Sequence, residues 1–132
     1  VITQFFFDNA HYLRFLERTR KHGIWVPITP GIVPIHNYKQ VSGFASRCGT
    51  TMPSWLARRF EGLDTDRETN NLVAAAVAAE QVMDLVDEGI KRFHFYTLNR
   101  ADLVYAICHL LGLRPRQAGP TSNHALKKAV GQ

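Results

Sequence analysis

At 132 residues the chain is one small domain or less, and with 45% hydrophobic and 20% charged residues it has the composition of a folded globular protein rather than a disordered one. No apolar run approaches the roughly 18 residues of a membrane span, and no secretory leader is legible. The net charge of +5 suits an anionic partner, but part of it sits in Arg114, Arg116, Lys127 and Lys128, and no basic stripe interleaved with aromatics argues for nucleic acid.

Residues 1–8, VITQFFFD, are β-branched and aromatic and read as a strand. Alternation puts Ile2, Gln4 and Phe6 on one face and Thr3, Phe5 and Phe7 on the other. Both faces are apolar, as in a parallel strand covered on two sides, with Gln4 a buried polar exception. Asp8 or Asn9 can cap the following helix, whose stripe is Tyr12, Phe15, Leu16 and Thr19 and whose stop is Gly23. Ile24 to Thr29 is the next strand candidate, weakened by Pro27. Pro30-Gly31-Ile32-Val33-Pro34 reads as a stiff loop.

A helix follows from about Asn37 to Cys48, closed by Gly49, and Pro53 suits the first position of a short helix ending near Glu61. Thr65 and Glu68 have the spacing of a capping box that opens the longest helix, running to about Glu88. Leu72, Ala76, Ala79, Met83 and Val86 are its expected packing stripe, and its small residues suit close approach to a sheet. Arg92 to Leu98 reads as a strand with His94, Tyr96 and Leu98 on one face. Asn99 can cap a last helix from Ala101 to Leu111. Residues 1–115 are thus expected to form one domain, and 116–132 a loosely held tail.

Strands alternating with helices argue for an α/β fold with a parallel sheet. Three parallel strands are too few for a closed barrel, which needs eight and about 250 residues, and an open sheet of three leaves unpaired edges. The expectation is a piece of something larger, in keeping with a first residue, Val1, that is not Met.

Glycine-rich phosphate loops and a GxSxG elbow are missing from the sequence, and the six histidines show no metal pairing. Cys48 and Cys108 lie far apart without a CxxC, as expected of reduced thiols in a cytoplasmic protein. The unusual residues lie at strand ends, where parallel α/β folds bind ligands. Gln4 either ties a neighbouring backbone or faces a ligand. Arg100, just past the last strand, either forks onto a carboxylate or phosphate or makes a surface ion pair or helix cap. Gln40 and Phe44 share a helix face at i and i+4. An amide beside a ring suits a flat heterocycle, while core packing is the plainer role for Phe44.

These segments together resemble the methylenetetrahydrofolate reductase family, flavin enzymes of one-carbon metabolism. The resemblance is carried by Ile2 to Asp8, by Pro30 to Ile35 with Asn37-Tyr38-Lys39-Gln40, by Phe60 to Asp64, and by Phe93 to Arg100, collinear over residues 1 to about 115. It implies the C-terminal portion of a (β/α)8 TIM barrel, about strands six to eight, with FAD as cofactor. NAD(P)H would be co-substrate and 5,10-methylenetetrahydrofolate the substrate, reduced to 5-methyltetrahydrofolate. Gln4 would touch the folate and the nicotinamide nucleotide, Gln40 would hydrogen-bond the folate, Phe44 would stack on it, Leu98 would line the pocket, and Arg100 would meet its distal part. Ile2, with Gln4, would approach the flavin.

Where the family often has threonine four residues after the stacking phenylalanine, this chain has Cys48. The family's acidic residues for protonation and flavin tuning lie upstream of the matched stretch. A homo-oligomer is expected of the complete enzyme, with no nucleic-acid or membrane partner. The alternative expectation is a truncated, non-catalytic fragment with at most residual ligand binding.

Overall fold

The described residues form eight elements in the order β1 (Ile2–Phe5), α1 (Asn9–Lys21), β2 (Thr29–Ile32), α2 (Tyr38–Arg47), α3 (Ser54–Phe60), α4 (Arg67–Asp87), β3 (His94–Phe95) and α5 (Ala101–Leu110). The structure, a computed structural model, describes residues 1–114; the tail expected over 116–132 lies outside the described residues. The strands form one parallel sheet in the order β1-β2-β3. Parallel neighbours in chain order with helical crossovers form an arc of a (β/α) barrel, the fold class expected.

Local chemistry accounts for the helix ends. Asp8 Oδ1 accepts the Ala10 N–H at 2.9 Å and starts α1. Tyr12, on the inner face of α1, stacks on Phe6 with ring centroids 5.5 Å apart. Its hydroxyl donates to the Ile28 carbonyl at 2.7 Å, and burial raises its pKa above the ordinary phenol value. Asn37 Oδ1 accepts the Gln40 N–H at 3.0 Å and starts α2. Tyr38 stacks on Phe60 and ties α2 to α3. The core joins Phe5, Phe6 and Phe7 to Ile32, Val33 and Ile35, and to the inner faces of the helices.

Several expected boundaries move. The second strand is Thr29–Ile32, not Ile24 to Thr29. Ile24, Trp25 and Val26 are exposed, held as a loop by Arg20, whose Nη1 donates to the carbonyls of Ile24 and Val26 and whose guanidinium lies over the Trp25 ring. Pro30 and Gly31, expected in a loop, lie inside the central strand. Pro30 needs no ladder N–H where the β1–β2 register shifts between Ile2 and Phe5. Gly31 is required by close approach: a Cβ there would lie 2.6 Å from Tyr96 Cε2 and 2.7 Å from the Thr3 carbonyl oxygen.

The cap of α4 is Asp66, not Thr65; Asp66 Oδ1 accepts the Thr69 N–H at 3.0 Å. The face buried by α4 carries Asn70, Ala74, Ala78, Val82 and Leu85. Of the expected stripe only Ala79 is buried; Leu72, Ala76, Met83 and Val86 are exposed. The helix is apolar on more than one side, and Met83 and Val86 line an apolar hollow of about 670 Å³ with Phe93, Phe95 and Leu110. Alanines 74, 75, 78 and 79 are buried, as close packing requires.

The third strand is only His94–Phe95, shorter than Arg92 to Leu98. Just past it the Tyr96 N–H still donates to the Ile32 carbonyl at 2.8 Å, and the chain then turns at Leu98 and Asn99, which both take positive φ, 47° and 62°. Asn99 therefore turns the chain and does not cap α5, which begins after Arg100 without a side-chain cap. Among the described residues no helix is long and apolar enough to cross a membrane.

Candidate functional site

The carboxyl ends of β2 and β3 open onto a hollow. The chain leaving Ile32 runs through a buried stretch, Val33 to Ile35, into α2. This helix buries Val41 and Ala45. Gln40, Phe44 and Arg47, at i, i+4 and i+7, line the hollow with His36 and Val41. Across from them, the β3–α5 turn contributes Leu98. That turn is closed by the Arg100 N–H donating to the Thr97 carbonyl at 2.8 Å. A left-handed leucine costs about 1–2 kcal/mol, and such cost, held by the surrounding fold, gathers at ligand sites.

Phe44 is the floor. Its ring stacks on Phe5, centroids 5.4 Å apart and planes 24° from parallel, while 37% of the residue stays exposed. A fully buried aromatic would have no face to offer; here one is stacked and area remains for a ligand. The Arg47 guanidinium lies 5.9 Å from the centroid of the same ring. Behind the floor, the Tyr96 hydroxyl donates to the Thr3 carbonyl at 2.8 Å, reaching across β2 above Gly31. The His94 and Tyr96 rings pack nearly perpendicular to each other with centroids 4.7 Å apart. The hollow measures about 240 Å³, below the roughly 300–1,000 Å³ of a complete small-molecule site.

Of the expected site residues, Gln40, Phe44 and Leu98 come together in this hollow. Gln4, Ile2 and Arg100 do not line it. Gln4 is exposed, not buried in an apolar strand, because the described residues place nothing over that part of β1. Its Oε1 accepts the Phe5 N–H at 3.0 Å. Ile2 is half exposed. Arg100 is paired with Asp102 by two contacts of 3.3 Å, and that hydrogen bonding holds the Asp102 carboxyl below its ordinary pKa. Cys48 is free and half-buried at the end of α2, its N–H donating to the Phe44 and Ala45 carbonyls.

Sequence reasoning missed His36 and Arg47. Their offsets from Gln40 and Phe44, four before and three after, were the available signal. It missed Tyr96 as a strut because nothing local shows that a tyrosine will cross a glycine 65 positions earlier in the chain.

Parallel strands, helical crossovers and a hollow at the strand carboxyl ends define a segment of an α/β-barrel protein. The family model described as methylenetetrahydrofolate reductase matches residues 1–112. Over 114 residues, 86% of this chain, it is 55% identical to the 5,10-methylenetetrahydrofolate reductase of Salmonella typhimurium and 54% identical to that of Escherichia coli. It is 34% identical over 113 residues to a rice protein named probable methylenetetrahydrofolate reductase (NADH). The chain belongs to the methylenetetrahydrofolate reductase family. It spans 38% of the length of the two bacterial relatives and 19% of the rice one.

Proposed function

We propose that this chain supplies the folate-facing wall of a flavin-dependent reductase that converts 5,10-methylenetetrahydrofolate to 5-methyltetrahydrofolate, with FAD as cofactor and NAD(P)H as hydride donor. The observation that carries the reading is the joint placement of Gln40, Phe44 and Leu98 around one hollow at the strand carboxyl ends, in a chain of this family. Phe44 offers a supported ring against which a flat pterin can stack. Gln40 offers an amide to the pterin edge, and Leu98 closes the opposite side. The rice relative's name supports NADH as donor.

Gln4 and Ile2 fit a flavin or nicotinamide partner. Gln4 Nε2 is exposed and meets no acceptor among the described residues, and Ile2 presents apolar surface beside it. A bound flavin supplies the two-electron chemistry between nicotinamide and folate. The residues of this chain bind and orient. Arg100, held by Asp102, reaches the distal part of the folate by exchanging that exposed carboxylate for one on the ligand. Two free half-buried thiols are in keeping with a reducing, cytoplasmic setting.

The test separates the half-reactions in a complete reductase carrying this segment. Phe44→Ala is expected to raise KM for methylenetetrahydrofolate about tenfold, the order of one lost stacking contact, with a smaller effect on flavin reduction by NAD(P)H. Gln4→Ala is expected to slow both half-reactions while FAD content stays near normal. Equal losses in both half-reactions for Phe44→Ala, or release of FAD by Gln4→Ala, would refute these roles.

A further inference from the structure

The chain between β2 and α2 is anchored from behind. Asn70, in the first turns of α4, is buried at 6% exposure. Its Nδ2 donates to the His36 carbonyl at 2.9 Å and to the Ile35 carbonyl at 3.3 Å. Two carbonyls on one buried amide hold the His36 backbone in place, since leaving such groups unmet is costly. Asn37 then fixes the first turn of α2 through the Gln40 N–H. His36 and Gln40 are set at a defined separation, and His36 Nε2 lies 3.0 Å from Gln40 Oε1.

An amide oxygen only accepts, so this contact is a hydrogen bond in the His36 tautomer that carries its proton on Nε2, which then donates to Gln40 Oε1. With Oε1 engaged by His36, Gln40 has its Nε2–H edge left for a ligand. We infer that His36 is a positioning residue that locks the Gln40 amide with its donor edge towards the hollow, so that the site selects a flat ligand presenting an acceptor there, a carbonyl oxygen or an unprotonated ring nitrogen. The inference rests on the folate-facing reading above and deepens it. The oxygen and NH2 ends of an amide are nearly the same size, so which end faces His36 is set by hydrogen bonding, and the Nε2–H tautomer calls for the oxygen. A donor edge met by a ligand donor leaves both unpaired, and mismatch of this kind discriminates strongly.

The test is a double-mutant cycle in a complete reductase carrying this segment, read as KM against kcat for methylenetetrahydrofolate, with FAD content and melting temperature as controls. Gln40→Ala is expected to raise KM about fivefold, the size of one neutral hydrogen bond. His36→Ala is expected to raise it by a similar factor, with kcat much less affected. The double variant is expected to be no worse than Gln40→Ala alone. His36→Gln, which restores an N–H donor, is expected to recover most of the loss. A damaging Gln40→Ala beside a silent His36→Ala, or losses that multiply in the double variant, would overturn the positioning role and leave the folate reading standing. A silent Gln40→Ala would overturn the folate role of Gln40 and the inference with it.

Discussion

Replacing Gly31 by alanine tests the packing that supports the site. The added Cβ would meet Tyr96 Cε2 at 2.6 Å and the Thr3 carbonyl oxygen at 2.7 Å, with the Gln4 carbonyl carbon at 3.5 Å. The first two lie well inside the roughly 3.5–4.0 Å of an unstrained contact. A tyrosine ring can swing, but the Thr3 oxygen belongs to the backbone of the paired strand and cannot move without opening the ladder. Overpacking of this kind costs about 1–3 kcal/mol. Displacing Tyr96 also breaks its 2.8 Å hydrogen bond to Thr3, about 1 kcal/mol more.

A total near 2–4 kcal/mol is a large part of the ~5–15 kcal/mol that holds a protein folded. Urea unfolding of a complete reductase carrying Gly31→Ala should show it as a lowered midpoint with little change in slope. Tyr96→Ala in the same background should recover part of the loss, because the ring contact disappears and the Thr3 contact stays. A penalty below about 0.5 kcal/mol, within the range of neutral surface changes, would refute the close-approach argument. Complete rescue by Tyr96→Ala would refute the part assigned to Thr3.

Asn99, at φ 62°, should tolerate glycine with little change in melting temperature, whereas Asn99→Ala should lose about 1 kcal/mol; equal melting temperatures for the two variants would show that the turn relaxes. Hydrogen bonding to Thr69 holds the Asp66 carboxyl below its ordinary value of 3.8. A carboxyl depressed in the folded state contributes stability above its unfolded pKa and loses it as pH falls through the folded one. Denaturation midpoints of the parent and Asp66→Asn should therefore converge as pH drops below about 4, and a gap constant from pH 7 to pH 3 would contradict the charge's role at this cap.

The starts of α1 and α2 were legible because their causes are local, whereas the caps expected of Thr65 at α4 and Asn99 at α5 fell one residue away from the observed ones. Asp8 caps α1 through a nitrogen two residues on, and Asn37 caps α2 through one three residues on. Three of the six expected site residues share a wall for a related reason: Gln40 and Phe44 sit one helical turn apart, and Leu98 follows a strand end. The strand limits were not legible. Pro30 and Gly31 carry the local signal of a loop, and what requires a glycine in mid-sheet is the approach of two groups remote in the chain, the Tyr96 ring and the Thr3 carbonyl. The buried face of α4 was ambiguous because apolar residues run around more of the helix than one stripe, so periodicity could not choose between Leu72 and Ala74. Asn70 carries no local sign of the two carbonyls it holds.

The Tyr96 hydroxyl works as a buckle fastened on the far side of its neighbour. The third strand cannot slip along the second by even one residue without withdrawing that hydroxyl from Thr3. The height at which Leu98 stands, two positions further on, is therefore gauged from the opposite edge of the sheet, by a strand that lends no side chain to the hollow. Changes along that remote edge should register first as altered ligand preference, before any loss of fold becomes measurable.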